Sequence, residues 1–199
     1  MRVKICGITS FYDAINSINA GAYALGFVFY KDSPRYISPK KAYNIIKKLP
    51  PFIKIVGLFV NDSIEDINRI SKISNIDIAQ IITTNNTSIY YNSLDIPYIK
   101  VLRVKNKDDI IKNYNNDEYI LIDSYVSTFG GAGRRVDLSF FHDIDCSKII
   151  LAGGLNEHNI EELKDYNFYA IDVSSGVEIS KGIKDKNKLI SFINKANEI

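Results

Sequence analysis

Eight short runs rich in Val, Ile, Leu and Phe alternate with longer stretches of helical periodicity from one end of the chain to the other, and this alternation restricts its folding more than any other feature. Apolar runs without a polar side are the mark of strands buried on both faces, and parallel strands need a crossover of about a dozen residues, usually a helix. The strand candidates are Val3–Cys6, Ala24–Phe29, Ile53–Val60, Ile76–Ile82, Tyr98–Val104, Tyr119–Asp123, Lys148–Leu151 and Ala170–Val173. Helices are expected near Tyr12–Ala20, Pro39–Leu49, Ser63–Ile73, Thr87–Ser93, Lys107–Tyr114, Leu138–Asp143, Glu157–Lys164 and Lys186–Ala196. Ser38 before Pro39, Ser63 with Asp66, and Asn156 supply start signals of the N-cap kind.

Eight strand–helix pairs in an unbroken series predict an α/β fold of the (β/α)8 TIM-barrel type rather than an open, doubly wound sheet. At 199 residues the chain sits at the lower edge of the size of such barrels, so its loops must be short. No linker or low-complexity tract interrupts the series, and residues 1–199 are expected to form a single domain.

Composition excludes several function classes. Hydrophobic residues make up 46% and charged residues 24%, too balanced for a disordered chain. The formal charge of +2 comes from scattered Lys and Arg, without the basic stripe of a nucleic-acid binder. The opening Met1–Thr9 enters a strand directly, and no stretch of about 20 apolar residues follows, so a membrane association is not expected and the cytoplasm is. Cys6 and Cys146 are the only cysteines, and His142 and His158 lack partners at zinc-site spacing. Neither a metal nor an organic cofactor is expected, and the chain is expected to act as a monomer, with a homodimer as the alternative.

In such a barrel the loops that follow the strands gather at one rim and build the active site. Glycine-rich segments follow the first, sixth, seventh and eighth strands, whereas the opposite turns are plain. Gly153 and Gly154, in Leu151–Asn156, let backbone N–H groups approach an anion, and a helix starting at Asn156 would add its dipole. After the eighth strand, Asp172, Ser174, Ser175 and Gly176 offer a carboxylate, two hydroxyls and another permissive glycine. Either loop alone reads equally well as a tight turn, but a phosphate site made by the seventh and eighth loops recurs in these barrels. Gly130 and Gly131 after the sixth strand allow a loop that closes over a ligand.

Two side chains are candidates for proton transfer. Cys6 ends the first strand at the barrel mouth, although a lone Cys in an apolar strand is more often a small core residue. Asp123 ends an apolar strand that a carboxylate should avoid unless it is used or paired. Arg35 after the second strand can grip a carboxylate with two parallel bonds, while an isolated loop Arg is more often a solvated charge. Gln80 and Arg103 are weaker candidates for polar lining; Cys146, His142 and His158 are assigned no chemistry.

Lys4-Ile5-Cys6-Gly7-Ile8-Thr9 resembles the opening signature of the phosphoribosylanthranilate isomerases, and the resemblance continues through Gly26–Phe29, Ser33–Ile37, Val56–Val60, Gly130–Gly133, Leu151–Leu155, Asp172–Glu178 and Gly182–Asp185. It implies an Amadori rearrangement of N-(5-phosphoribosyl)anthranilate to 1-(2-carboxyphenylamino)-1-deoxyribulose 5-phosphate in tryptophan biosynthesis, with a small phosphorylated sugar as the only partner. It further implies Asp123 as general acid, Cys6 as general base, Arg35 on the anthranilate carboxylate, and loops seven and eight on the phosphate. Two stretches depart from the family pattern: Gln80-Ile81-Ile82-Thr83 stands where Gln-Leu-His-Gly is usual, and Gly130-Gly131-Ala132-Gly133 where Gly-Gly-Thr-Gly is. The related sugar isomerase of histidine biosynthesis resembles a pair-of-aspartates design, against which Cys6 argues. A non-catalytic phosphate-binding barrel is the remaining alternative, because one fold hosts many functions.

Overall fold

Each of the eight apolar runs becomes a strand in the computed structural model, which describes residues 1–83, 91–125 and 135–199. The strands are β1 (Arg2–Cys6), β2 (Ala24–Val28), β3 (Lys54–Val60), β4 (Ile78–Ile82), β5 (Tyr98–Val104), β6 (Ile120–Ser124), β7 (Ile149–Leu151) and β8 (Ala170–Val173). Every neighbouring pair is parallel, and β8 pairs back onto β1 from Arg2↔Ala170 to Ile5↔Val173, which closes the barrel.

The two-residue period of a strand sorts side chains between two cores. Outward residues such as Val3, Ile5, Leu25, Phe27, Ile81, Ile120 and Ile122 join the large cluster that includes Leu189, Phe192 and Ile193 of the last helix. Leu121, Ile150, Ala152 and Ala170 form a smaller second cluster. Each fully buried Leu, Ile or Phe contributes roughly 1.5–3 kcal/mol relative to exposure. The same parity turns Lys4, Cys6, Gln80, Asp123 and Asp172 to the barrel's inner side, because the residue before each on its strand belongs to the outer core.

Among the described residues five α-helices cover the strands: α1 (Phe11–Ala20), α2 (Pro39–Ile46), α3 (Ile64–Ser74), α4 (Lys107–Asn113) and α5 (Lys186–Glu198). Their starts obey the expected caps. The Ser38 and Ser63 hydroxyls accept from the N–H groups of Lys41 and Asp66. Asn106 and Asp109 form a reciprocal capping box on α4. No helix of the described residues is long and apolar enough to cross a membrane.

Two expected helices shrink to single 3-10 turns, Leu138–Phe141 and Ile160–Leu163. Of the expected helix Thr87–Ser93, residues 87–90 lie outside the described residues, and Tyr91–Ser93 is a 3-10 turn. At Leu138 the segment is too short to repay helix nucleation, and Asp143 turns the chain with φ 66°. After β7, Asn156 caps no α-helix. Its side chain accepts from His158 N–H, while the Asn159 amide donates to the Gly154 carbonyl and accepts from Asn156 N–H. Such local bonds offer the backbone an alternative to the helical ladder. After β8 an antiparallel hairpin, β9 (Glu178–Ser180) with β10 (Ile183–Lys184), precedes α5, a feature absent from the sequence expectations.

Candidate active site

The C-terminal ends of the strands surround one cavity, to which seven strands and Ala152, directly after β7, contribute side chains. Val28, Leu58, Val60, Ile82, Val101 and Leu121 make its apolar wall, and Cys6, Arg35, Gln80, Arg103, Asp123 and Asp172 are its main polar groups. A largely apolar hollow with a few convergent polar groups is the usual form of a small-molecule site.

Asp123 stands on the inner face of β6, one step above Leu121. Its Oδ1 accepts from Ser124 N–H at 2.8 Å. Burial pushes its carboxyl up to about 6, and the charge of Asp172 adds to the effect, against the opposing influence of Ser124 N–H, Arg103 and Lys4. A carboxyl so placed holds its proton in an appreciable fraction of molecules near neutral pH, as a general acid must.

Cys6 ends β1 across the cavity and is 6% exposed. Burial raises its thiol, while the ammonium groups of Lys4 and Lys184 work in the opposite direction. Lys4 lies one inward layer below. It donates to Asp172 Oδ1 at 2.8 Å, and the two residues are register partners across β1 and β8. Although burial alone would lower it, the pKa of Lys4 is raised by Asp172 and Cys6.

Arg35 is not the solvated loop charge that is commonest for such a residue. It is 4% exposed and clamped by Glu178, with Nε donating to Oε1 at 2.8 Å and Nη2 to Oε2 at 2.7 Å. Glu178 also accepts from Lys184 Nζ at 2.9 Å, and Lys184 reaches on to the carbonyl oxygens of Cys6 at 2.5 Å and Ser174 at 3.1 Å. These two cations hold the Glu178 carboxyl below its ordinary range despite its burial, and burial depresses the pKa of Lys184. One edge of the Arg35 fork is thus spoken for, leaving Nη1 without a partner among the described residues. Gly7 makes this approach possible: a Cβ there would lie 2.4 Å from Arg35 Cδ, and φ is +80°.

Gly153 and Gly154 both have positive φ, 92° and 62°, and line the cavity beside Ser174 and Ser175. The N–H groups of Gly153, Gly154 and Ser175 donate to no partner among the described residues. Loops seven and eight touch at Gly176, where a Cβ would come within 1.9 Å of the Leu155 carbonyl oxygen. Gly176 therefore packs one loop on the other and does not line the cavity. The expected helix dipole behind Gly154 is missing, since the first helical residue after it is Ile160 in a 3-10 turn. Oriented backbone N–H groups remain as the anion-binding device.

Gln80 is 3% exposed, and its Oε1 lacks a hydrogen-bond partner among the described residues, an unusual state for a buried acceptor facing a cavity. Arg103 lines the same cavity and lies over the Tyr125 ring at 5.0 Å. Gly130 and Gly131 lie outside the described residues. Cys146 is buried, with its thiol pushed up to about 12 by burial, and is remote from this cavity.

Sequence reasoning missed Lys4, Glu178 and Lys184. For Lys4 a signal existed: strand parity puts Val3 and Ile5 outward, so a lysine between them must point into the barrel.

The chain matches the family model described as N-(5'phosphoribosyl)anthranilate (PRA) isomerase over residues 3–195. It is 53% identical over 196 residues to an N-(5'-phosphoribosyl)anthranilate isomerase of a Nitratiruptor species, with 98% of each chain covered. A crystal structure of phosphoribosyl anthranilate isomerase from Thermotoga maritima superposes with a TM-score of 0.91 at 36% identity, covering 100% of both chains. Another, solved in complex with reduced 1-(o-carboxyphenylamino)-1-deoxyribulose 5-phosphate, gives a TM-score of 0.87 at 35% identity, again with 100% of both chains covered.

Proposed function

This chain belongs to the N-(5'-phosphoribosyl)anthranilate isomerase family, and we propose that within the family's Amadori rearrangement Asp123 is the general acid and Cys6 the general base. The enzyme converts N-(5'-phosphoribosyl)anthranilate to 1-(2-carboxyphenylamino)-1-deoxyribulose 5-phosphate in tryptophan biosynthesis. The observation that carries the residue assignment is one cavity holding a carboxyl raised to about 6 on β6 and a thiol on β1.

Asp123 gives its proton to the furanose ring oxygen as the C1–O bond breaks, and the anilino nitrogen lone pair forms the iminium. Cys6 then takes the proton from C2, the C–H electrons form the C1–C2 double bond, and the nitrogen recovers its lone pair. The enolamine tautomerises to the ketone, so the reaction moves protons and electrons without consuming any co-reactant. Arg35 presents its free edge to the anthranilate carboxylate. The N–H groups of Gly153, Gly154 and Ser175, with the Ser174 and Ser175 hydroxyls, take the phosphate. Gln80 Oε1 accepts from a substrate hydroxyl or N–H, and Asp172 adds a further acceptor at the cavity wall. Each proton transfer is worth roughly 10²–10⁴-fold in rate. We place this chemistry in the cytoplasm and within a single domain.

The test is turnover of freshly made N-(5'-phosphoribosyl)anthranilate, followed by its fluorescence, for the wild type, Cys6→Ala and Asp123→Asn. Loss of about a hundredfold or more in each variant is expected. Rates within a few-fold of wild type in both would sink the assignment.

A further inference from the structure

We propose that Lys4 is a positioning residue for the isomerisation: its ammonium, anchored by Asp172 one layer beneath Cys6, supplies the charge that lets the Cys6 sulfur release its proton and serve as base. The proposal rests on Cys6 being the base.

The geometry is set by strand register. Lys4 and Cys6 are two residues apart on β1 and therefore share the inner face. On the neighbouring strand Gly26 pairs with Cys6 and has no side chain. A Cβ built at Gly26 would stand 2.9 Å from Cys6 Sγ and 3.0 Å from Lys4 Nζ. Both groups therefore converge on the same small volume, which any larger residue at Gly26 would fill. On the other side, β8 brings Asp172 into register with Lys4, and the 2.8 Å bond keeps the long side chain from swinging away. Lys4 is 6% exposed, so its charge acts through protein and is weakly screened.

Other charges also face the thiol. Lys184 on β10 donates to the Cys6 carbonyl oxygen, and with Arg35 from the loop after β2 it shares the Glu178 carboxylate. Asp172 on β8 disfavours the thiolate, and Asp123 looks across from β6. Burial is the largest influence on the thiol; among the charges that offset it Lys4 comes first, ahead of Lys184. The lysine has a second consequence, because it also helps ionise Asp123, though less than the nearer groups do.

An ion pair whose halves act oppositely on the sulfur gives a test with two signs. In a Cys146→Ala background, the rate of Cys6 alkylation by iodoacetamide is measured against pH, since the thiolate is the reacting form. Lys4→Met is expected to slow alkylation at pH 8 by about tenfold or more, with the alkaline midpoint moved up. Asp172→Asn, which leaves the lysine charge uncompensated, is expected to speed it several-fold with the midpoint moved down. A packing role alone would move both variants in the same direction or neither. The proposal is overturned if the Asp172→Asn midpoint stays or rises, a result that can be read even if Lys4→Met does not fold. It is overturned equally if folded Lys4→Met keeps the wild-type midpoint. In turnover, Lys4→Met should lose kcat about tenfold or more, with part of the loss recovered at higher pH. Undiminished turnover by Cys6→Ala would instead remove the base assignment, whatever the alkylation midpoints show.

Discussion

Replacing Asp123 with Asn should make the protein more stable and nearly inactive, and the two effects have one cause. Asn keeps the shape and can still accept from Ser124 N–H, so the substitution removes little besides the ionisable proton. The folded carboxyl titrates near 6 against an ordinary 3.8. Because the folded value is the higher one, the group favours the fold below about pH 4 and loses that contribution as pH rises through about 6. At about 1.4 kcal/mol per pH unit, the ionised Asp123 costs the fold up to ~3 kcal/mol above pH 7. Partial exposure of the carboxyl reduces this to roughly 1–2 kcal/mol. For a protein of this size that corresponds to a gain of about 2–8 °C in Tm. Thermal or urea unfolding at pH 8 should therefore favour Asp123→Asn, while the two proteins converge near pH 4. A variant less stable than wild type at pH 8, or one with the same advantage at both pH values, would refute the claim that Asp123 is held against its ionisation.

The pH dependence of kcat/KM should be a broad bell with an acid limb near 6, from Asp123, and an alkaline limb above the ordinary thiol value of about 8.5, from Cys6. Because the acid must be protonated while the base with the higher pKa is not, the plateau reflects a minority form. A profile that falls steadily from pH 6 to 8 would contradict this pairing. Glu178→Gln removes the carboxylate shared by Arg35 and Lys184, leaving two buried cations without their counter-charge. It should cost about 3–5 kcal/mol in stability and raise KM about tenfold or more as the Arg35 fork loses its orientation. Wild-type Tm together with wild-type KM in this variant would show that Arg35 is positioned by something else.

The barrel was legible because its signal is repeated eight times and each repeat needs only local information. All eight strands appear within two residues of their expected bounds, and Ser38, Ser63 and their partners cap helices as their chemistry predicts. What failed was the length of helices whose residues bond their own backbone. At Asn156 and Asn159, side-chain amides bond nearby backbone groups and hold a local turn in place of a helical start, and no periodicity count registers that. The site was legible where a residue type is out of place on its own strand, as with Asp123 among isoleucines. It was illegible where the partner is distant in sequence. Nothing near Arg35 announces Glu178, 143 residues away, and nothing near Cys6 announces Lys184, 178 residues away.

Burial acts on the acid and the base in the same direction, and the placement of charge in this barrel follows from that. Taking a carboxyl or a thiol out of water raises the pKa of either. For Asp123 this is what proton donation requires, so β6 needs only an apolar setting, and the cavity wall, with Leu121 and Val101 in it, provides it. For Cys6 the same burial opposes proton removal, and positive charge offsets it. Lys4 and Lys184, two of the few buried cations described, stand beside Cys6. Two unpaired lysines would in turn destabilise the barrel. Asp172 and Glu178 balance them from the segment that follows Tyr169, and the Lys4–Asp172 bond crosses the β1–β8 seam that closes the ring. The seam is therefore where a base rather than an acid can be supported, because it joins the first strand to the stretch of chain that carries both counter-ions. An acid needs no such partner, and it sits on β6, away from the seam.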